Sequence, residues 1–372
     1  MIPREKTERV AGLVRKEFHQ ILRDWRLARI IFVAPVIQLL IFGYAVSTDV
    51  RHTWMFVVDG DRTQASRALV DAFTAGGYFD VVGRSDRPAD AAAALDYGRA
   101  ILALRIPAGY ARTLREPGGA HVQVLVDGTN SNVATVSLGY AEQIVRSHGL
   151  ATLERAFTPP VDLRERAWFN PALVSRNYNV PAVIGTIMLM MSLMLTALSV
   201  VREREMGTLE QLMVSPLTPG ELIAGKTIPF GLVAMAQMAI ITAVALLWFH
   251  IPFLGQGLLL LLGALLFLLT TLGLGLLIST VSNTQQEAFL TTFLAIMPVM
   301  MLSGFMFPVT SMPVAFQWLT LLNPLRHYLE IVRAIFLKGA GFDALWPHYA
   351  VLAGMGTSIL WLAGTRFRKT VR

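Results

Sequence analysis

Charge vanishes from six stretches of the chain, residues 30–46, 180–201, 228–249, 258–278, 289–307 and 348–364, and none of them holds an Asp, Glu, Lys or Arg. A helix needs about 20 mainly apolar residues to cross the hydrocarbon core of a bilayer, with a range near 17–25. All six lengths fit, so the pattern predicts six transmembrane helices; the last has His348 at its edge and is the least apolar. The 29 residues ahead of the first stretch are too long a leader for a cleaved signal sequence, whose apolar region is usually about 7–15 residues. Residues 30–46 therefore read as a retained span, although Ala45, Val46 and Ser47 offer small side chains for a cleavage site.

The remaining segments carry other periods. Val10, Val14, Phe18, Ile21, Trp25 and Ala28 recur at helical spacing, with Arg9, Lys16, Arg23 and Arg26 largely elsewhere on the wheel. Residues 1–29 are expected to form an amphipathic helix, either lying in the cytoplasmic interface or docked on a partner. Between the first two spans, strand-like runs at 54–58, 78–82, 100–105 and 121–126 alternate with helical runs at 65–75, 89–97, 108–114 and 133–157. That alternation predicts an α/β domain within residues 47–179, and Pro159-Pro160 marks the return to the membrane.

The loop 202–227 is short. Thr208 with Gln211 three residues on is a capping-box pattern, and Pro216 ends the helix it begins. Leu209, Leu212 and Met213 make an apolar stripe on about two turns, which are marginal alone. This helix must lean on a cytoplasmic partner or on its own spans. After the fifth span, Pro308, Pro313 and Pro324 break an apolar region, and residues 309–346 fit short helices re-entering the membrane, where such backbone must be buried in protein.

Composition agrees with the pattern. Hydrophobic residues make up 54% of the 372 and charged residues 15%, against about 25% charged in soluble domains. Cysteine is absent, which removes disulfides, thiolate metal sites and cysteine nucleophiles. The seven histidines show no metal-ligand spacing, so no metal site is expected. The net charge of +7 is concentrated at the ends: residues 1–29 hold eight Lys or Arg against four acids, the tail after Gly364 holds four Arg or Lys, and residues 47–179 balance 14 Arg with 14 acids. Basic residues flanking spans stay inside the cell. Both termini are thus expected in the cytoplasm and the α/β domain outside, and no nucleic-acid face is needed to explain the charge.

Residues 220–227 match the phosphate-binding pattern G-x-x-x-x-G-K-[ST], and residues 121–127 offer an apolar strand ending in Asp. The context rejects a nucleotide site. Such a loop follows a buried strand and opens a soluble helix, whereas here Pro216 and Pro219 precede it and a span follows at Ile228. The four variable positions contain no Gly, and Asp127 and Lys226 are expected on opposite sides of the membrane. Lys226 is expected to anchor the third span at the interface.

Arg202-Glu203-Arg204-Glu205-Met206-Gly207-Thr208-Leu209-Glu210-Gln211-Leu212, then Ser215-Pro216-Leu217 and Gly225-Lys226-Thr227, resembles the cytoplasmic loop of ABC export permeases of the type-2 class. Leu322-Asn323-Pro324-Leu325-Arg326-His327-Tyr328 is similar to a second motif of that family, and Phe169-Asn170-Pro171 fits its subgroup with a large external domain. The resemblance covers essentially the whole chain. It implies a non-enzymatic permease in the inner membrane: two six-span chains, identical or paralogous, form the channel, and separate ATPase subunits bind ATP and Mg²⁺. Thr208, Leu209, Glu210, Gln211, Leu212 and Met213 would be the coupling helix in the ATPase groove, with the N-terminal helix also touching the ATPase and a periplasmic adaptor as a further partner. The second and fifth spans would line the route between the paired chains, which brings in Met188, Met191, Met194, Met297 and Met301, with Phe305 beside them. Met suits surfaces that accept varied apolar shapes and equally suits gap-filling between helices. Pro298 is expected to kink the fifth span. The expected cargo is a hydrophobic or amphipathic compound, drug-like or lipid-like. An ion-coupled secondary transporter, the alternative class, keeps ionisable residues within its spans, and these spans have none. A sensor would need only one or two spans.

Overall fold

The structure is a computed structural model that describes residues 4–23, 25–45, 52–114, 116, 119–152, 168–171, 174–207 and 218–369. The chain divides into two compact units, Met1–Ser47 with Ala167–Arg372, and Thr48–Arg166. The larger unit opens with α1 (Arg4–Arg23) and α2 (Trp25–Ala45).

The smaller unit runs β1 (Thr53–Asp59), α3 (Gln64–Ala75), β2 (Phe79–Ser85), α4 (Ala89–Asp96), β3 (Leu102–Ile106), α5 (Tyr110–Thr113), β4 (Gln123–Val126) and α6 (Ser131–Thr152). Its sheet has the order β2-β1-β3-β4, with β1 parallel to β2 and β3, and β4 antiparallel to β3. Alternate residues of each strand face opposite sides. Met55, Val57, Leu102 and Leu104 join Phe73 of α3 and Ala141 of α6 on one face, while Val58 and Ala103 pack on Ala91 of α4 on the other. Asp61 ties the loop after β1 to α5: its carboxylate accepts from the Gly109 amide at 2.8 Å and the Ala111 amide at 3.1 Å. Desolvation alone would raise the Asp61 carboxyl, but the Thr63 hydroxyl and the α5 amides outweigh it and hold it below the usual carboxylate range.

The larger unit continues with α7 (Ser175–Glu205), α8 (Pro219–Leu247), α9 (Gly257–Val281), α10 (Gln285–Met301), α11 (Val314–Thr320), α12 (Pro324–Arg333) and α13 (Phe342–Lys369); a 3₁₀ turn precedes α11 and a π-helical turn, Ala334–Lys338, follows α12. Among the described residues four helices are long and apolar enough to cross a membrane, at Ala28–Ala45, Ser175–Glu205, Gly220–Leu247 and Gly257–Val281. The fifth and sixth apolar stretches fall on α10, which has 17 residues, and on α13, whose ends are polar. Several boundaries differ from the apolar stretches. α8 starts at Pro219, well before Ile228, because Thr218 and Glu221 form a reciprocal capping box that stabilises a polar first turn. α10 stops at Met301, short of Phe307, and Gly304 turns the chain with φ of +81°. The N-terminal helix also differs: the strip buried against the bundle is Leu13, Glu17 and Ile21, and Trp25 is exposed.

Close packing in this unit depends on small residues. An added Cβ at Gly275 of α9 would lie 3.0 Å from the Leu193 carbonyl of α7, and one at Gly185 would lie 3.1 Å from Tyr328. Tyr328 of α12 is fully buried and stacks on Phe267 with ring centroids 4.4 Å apart, its hydroxyl donating to Met188 Sδ at 3.3 Å. Carbonyls left without their usual donors, by a proline or by a helix end, take side-chain donors from other helices. Pro35 removes the N–H that would bond the Ile31 carbonyl, and Gln237 of α8 donates to that carbonyl at 2.6 Å. Asn323 caps α12 through the Leu325 amide at 3.0 Å and donates to the Val299 carbonyl near the end of α10 at 2.7 Å.

The Gln237 bond makes a prediction. Gln237→Leu removes both donors at similar volume and should lower stability by about 1 kcal/mol, read as a lower thermal midpoint of the purified protein in detergent. In a Pro35→Ala background the restored N–H bonds the Ile31 carbonyl within α2, and the same change should cost almost nothing. Equal losses in both backgrounds would contradict the assignment.

Candidate functional site

The six expected coupling residues, Thr208, Leu209, Glu210, Gln211, Leu212 and Met213, lie outside the described residues, as does Pro216. The structure does describe both anchors of the loop that carries them. α7 ends in Arg202-Glu203-Arg204-Glu205, after which Gly207, at φ +70°, closes the C-terminus by donating to the Arg204 carbonyl at 3.1 Å. α8 opens at the Thr218 cap.

Glu203, Arg204 and Glu205 at the end of α7 each have a partner on another element. Glu203 Oε1 accepts from Lys226 of α8 at 2.8 Å and from Lys16 of α1 at 3.1 Å. Lys226 also donates to Glu17 of α1 at 2.9 Å. Arg204 donates to the Ser282 carbonyl in the turn between α9 and α10 at 2.7 Å, and Glu205 accepts from the Gln285 amide at 2.7 Å. Glu17, Glu203 and Lys226 are each less than 5% exposed, whereas the Lys16 side chain is 48% exposed. Charges this buried are tolerated only when paired, so the cluster fixes the mutual placement of α1, α7 and α8. A cavity of about 170 Å³ adjoins it, lined by Glu17, Ser199, Arg202, Phe230 and Gln285 among others.

This geometry accounts for Gly225-Lys226-Thr227 without a nucleotide. All three residues are helical. A Cβ at Gly225 would overlap the Leu13 side chain, so the glycine lets α1 approach α8. Lys226 is not the interface anchor expected from sequence: it is enclosed between two carboxylates. Thr227 donates back to the Ile223 carbonyl at 2.9 Å, a local helix bond.

The expected pathway residues separate into two environments. Met188 is 1% exposed beneath Tyr328, while Met191 and Met194 are partly buried on α7. Met297 and Met301, one turn apart on α10, are about half exposed. Phe305 packs against the core beyond the end of α10. Among the described residues no group of three His, Cys, Asp or Glu could hold a metal ion. Sequence reasoning missed Glu17, Lys16 and Gln237. Glu17 had a visible signal, an acid at four-residue spacing between Leu13 and Ile21.

The cluster yields a prediction. Among the described residues, Lys226→Met leaves the buried Glu17 without a close cation and Glu203 with Lys16 alone, and should cost about 3–5 kcal/mol of stability, measured by thermal unfolding in detergent. Adding Glu17→Gln and Glu203→Gln should recover most of that loss. A single variant as stable as the triple one would show that the cluster is not ionic.

The sequence model described as ABC-2 family transporter protein matches residues 25–364. The chain is similar to the probable multidrug ABC transporter permease YbhR of Escherichia coli (strain K12), at 35% identity over 368 residues that cover 98% of this chain and 99% of the relative. It is similar to the probable multidrug ABC transporter permease YbhS of the same strain, at 33% identity with 89% of each chain covered. Inner membrane transport permease YhhJ, also of that strain, is 29% identical with 96% of each chain covered.

Proposed function

The chain belongs to the ABC-2 family of transporter proteins and is the membrane permease subunit of an ABC exporter, and we propose that it moves hydrophobic or amphipathic compounds, including drug-like ones, outward through a path shared with a second permease chain. The observation that carries the mechanism is the ionic cluster at the two anchors of loop 208–217. In this reading residues 208–213 form a short helix seated in a groove of a separate ATPase subunit, which binds the ATP and Mg²⁺. Displacement of that helix is passed on as rigid-body motion, since α7 and α8 are joined to each other and to α1 by buried ion pairs. The turn before α10 follows, because Arg204 and Glu205 hold it.

The membrane arrangement proposed here has six spans, with α10 and α13 as the fifth and sixth. Both termini lie in the cytoplasm of an inner-membrane protein, as their excess of Lys and Arg favours, which leaves the α/β unit outside, where an adaptor protein is its natural partner. Met297 and Met301, exposed on α10, are offered as the wall of the path, with Met191, Met194 and Phe305 beside them and Met188 supporting from behind.

Two experiments test this reading. Leu212→Asp should abolish export in cells and co-purification with the ATPase while the permease still inserts at normal levels; normal export by a well-expressed variant would sink the coupling assignment. The native chain has no cysteine, so single cysteines at Asp96 and Ser215 report sidedness directly. An impermeant maleimide should label the first in intact spheroplasts and the second only after lysis, and labelling of both from one side would overturn the topology.

A further inference from the structure

At the end of α7 opposite the ionic cluster, the first turn of that helix, the segment after α10, α11 and α12 enclose a cavity of about 580 Å³. α12 presents Arg326, Glu330 and Arg333 to it at one-turn spacing, and Tyr178, Gln317 and Trp318 contribute to the remaining wall. Arg333 is 7% exposed. Its Nη1 donates to the Gly304 carbonyl at 3.1 Å, and the Tyr178 ring covers the guanidinium at 3.8 Å. Its Nε and Nη2 have no hydrogen-bond partner among the described residues. Both nitrogens are shielded from solvent as the side chain stands; turned toward the cavity, they form the edge of the fork that grips a carboxylate or phosphate with two parallel bonds.

Among the described residues Arg326 has only neutral acceptors, the Gln317 carbonyl at 3.2 Å and the Thr320 hydroxyl. Among the described residues neither guanidinium has a carboxylate within ion-pair distance, and Glu330, which lies between them on the helix, is exposed. Glu330 acts on Arg333 electrostatically without forming an ion pair, so the buried guanidinium is only partly compensated, which is unfavourable. An anion entering the cavity relieves that penalty, and the surrounding apolar surface, including Trp318 and Leu321, suits an attached hydrocarbon.

We infer that this cavity binds the anionic head, a phosphate ester or a carboxylate, of an amphiphile whose apolar part lies against the cavity wall. The inference deepens the exporter reading, and rests on it, only in taking the bound molecule as cargo. Binding is measured without transport, so the two readings fail separately.

The test is calorimetric titration of the full chain in phosphatidylcholine nanodiscs with hexyl phosphate, hexanol and inorganic phosphate. Hexyl phosphate should bind more tightly than either of the others. Arg333→Gln should weaken it about tenfold or more, Arg326→Gln should weaken it less, and Glu330→Gln, which removes the one repelling charge, should tighten it about threefold. The opposite sign of the Glu330 variant separates electrostatic recognition from misfolding, and if Arg333→Gln fails to fold, Arg326→Gln and Glu330→Gln decide. Unchanged affinity in the arginine variants, or weaker binding by Glu330→Gln, would overturn the anion site. Inorganic phosphate binding as tightly as hexyl phosphate would overturn the amphiphile and identify a free anion as the ligand.

Discussion

One ammonium between two carboxylates holds together the end of this permease from which loop 208–217 leaves the bundle. Lys226 is withdrawn from water with Glu17 and Glu203, and each of the three sits on a different helix. Such a group gives less net stability than an apolar replacement would, since desolvation offsets most of the attraction. What it supplies is direction. An apolar contact tolerates sliding by a methyl group, whereas a buried ion pair tolerates little. The helices that leave and re-enter the bundle around loop 208–217 are therefore held in one register, and Lys16, at the water's edge, adds a second positive charge against the net negative charge of the trio.

The same demand for paired polar groups organises the membrane core. In hydrocarbon, a backbone carbonyl freed by proline has no water to turn to. Gln237 reaches across from α8 to Ile31, and Asn323 reaches from the start of α12 to the Val299 carbonyl, which the end of α10 leaves open. Buried hydroxyls behave likewise: Ser192 and Thr196 bond back to carbonyls one turn earlier on α7, and Ser192 also meets Thr271 of α9 at 2.9 Å. Pro35 and Gln237, which look like defects in an apolar sequence, are thus matched across helices.

Much of this was legible in the sequence. The strand and helix alternation of the smaller unit shows in its short apolar runs and the helical runs between them, although β3, covered on both faces, is buried at consecutive positions and lacks a period of two. The apolar runs locate the long helices well, yet they misplace the ends. α8 begins at a capping box that hydropathy does not weigh, and α10 ends at a turn that Phe305 and Phe307 disguise as more span. The candidate site was half legible. Glu203 and Lys226 stood out through the family resemblance, but neither motif reveals that the two meet, since they are 23 residues apart on separate helices, or that Lys226 also pairs with Glu17 from near the start of the chain. Pairing across such separations is tertiary information. Gln237 gave no periodic signal, because its partner is a backbone atom exposed by a proline about two hundred residues earlier.

α7 runs unbroken beyond Pro181 to Glu205, a length of about 36 Å at 1.5 Å per residue. A helix buried along most of that length moves as one rod. Thermodynamic linkage then applies to whatever occupies its two ends: if a ligand near Tyr178 favours one setting of the rod, the affinity of the partner at the Glu205 end changes by a factor, and the partner must change the ligand's affinity by the same factor. Cargo recognition and energy supply would be reciprocal quantities, and a single helix would be enough to equate them.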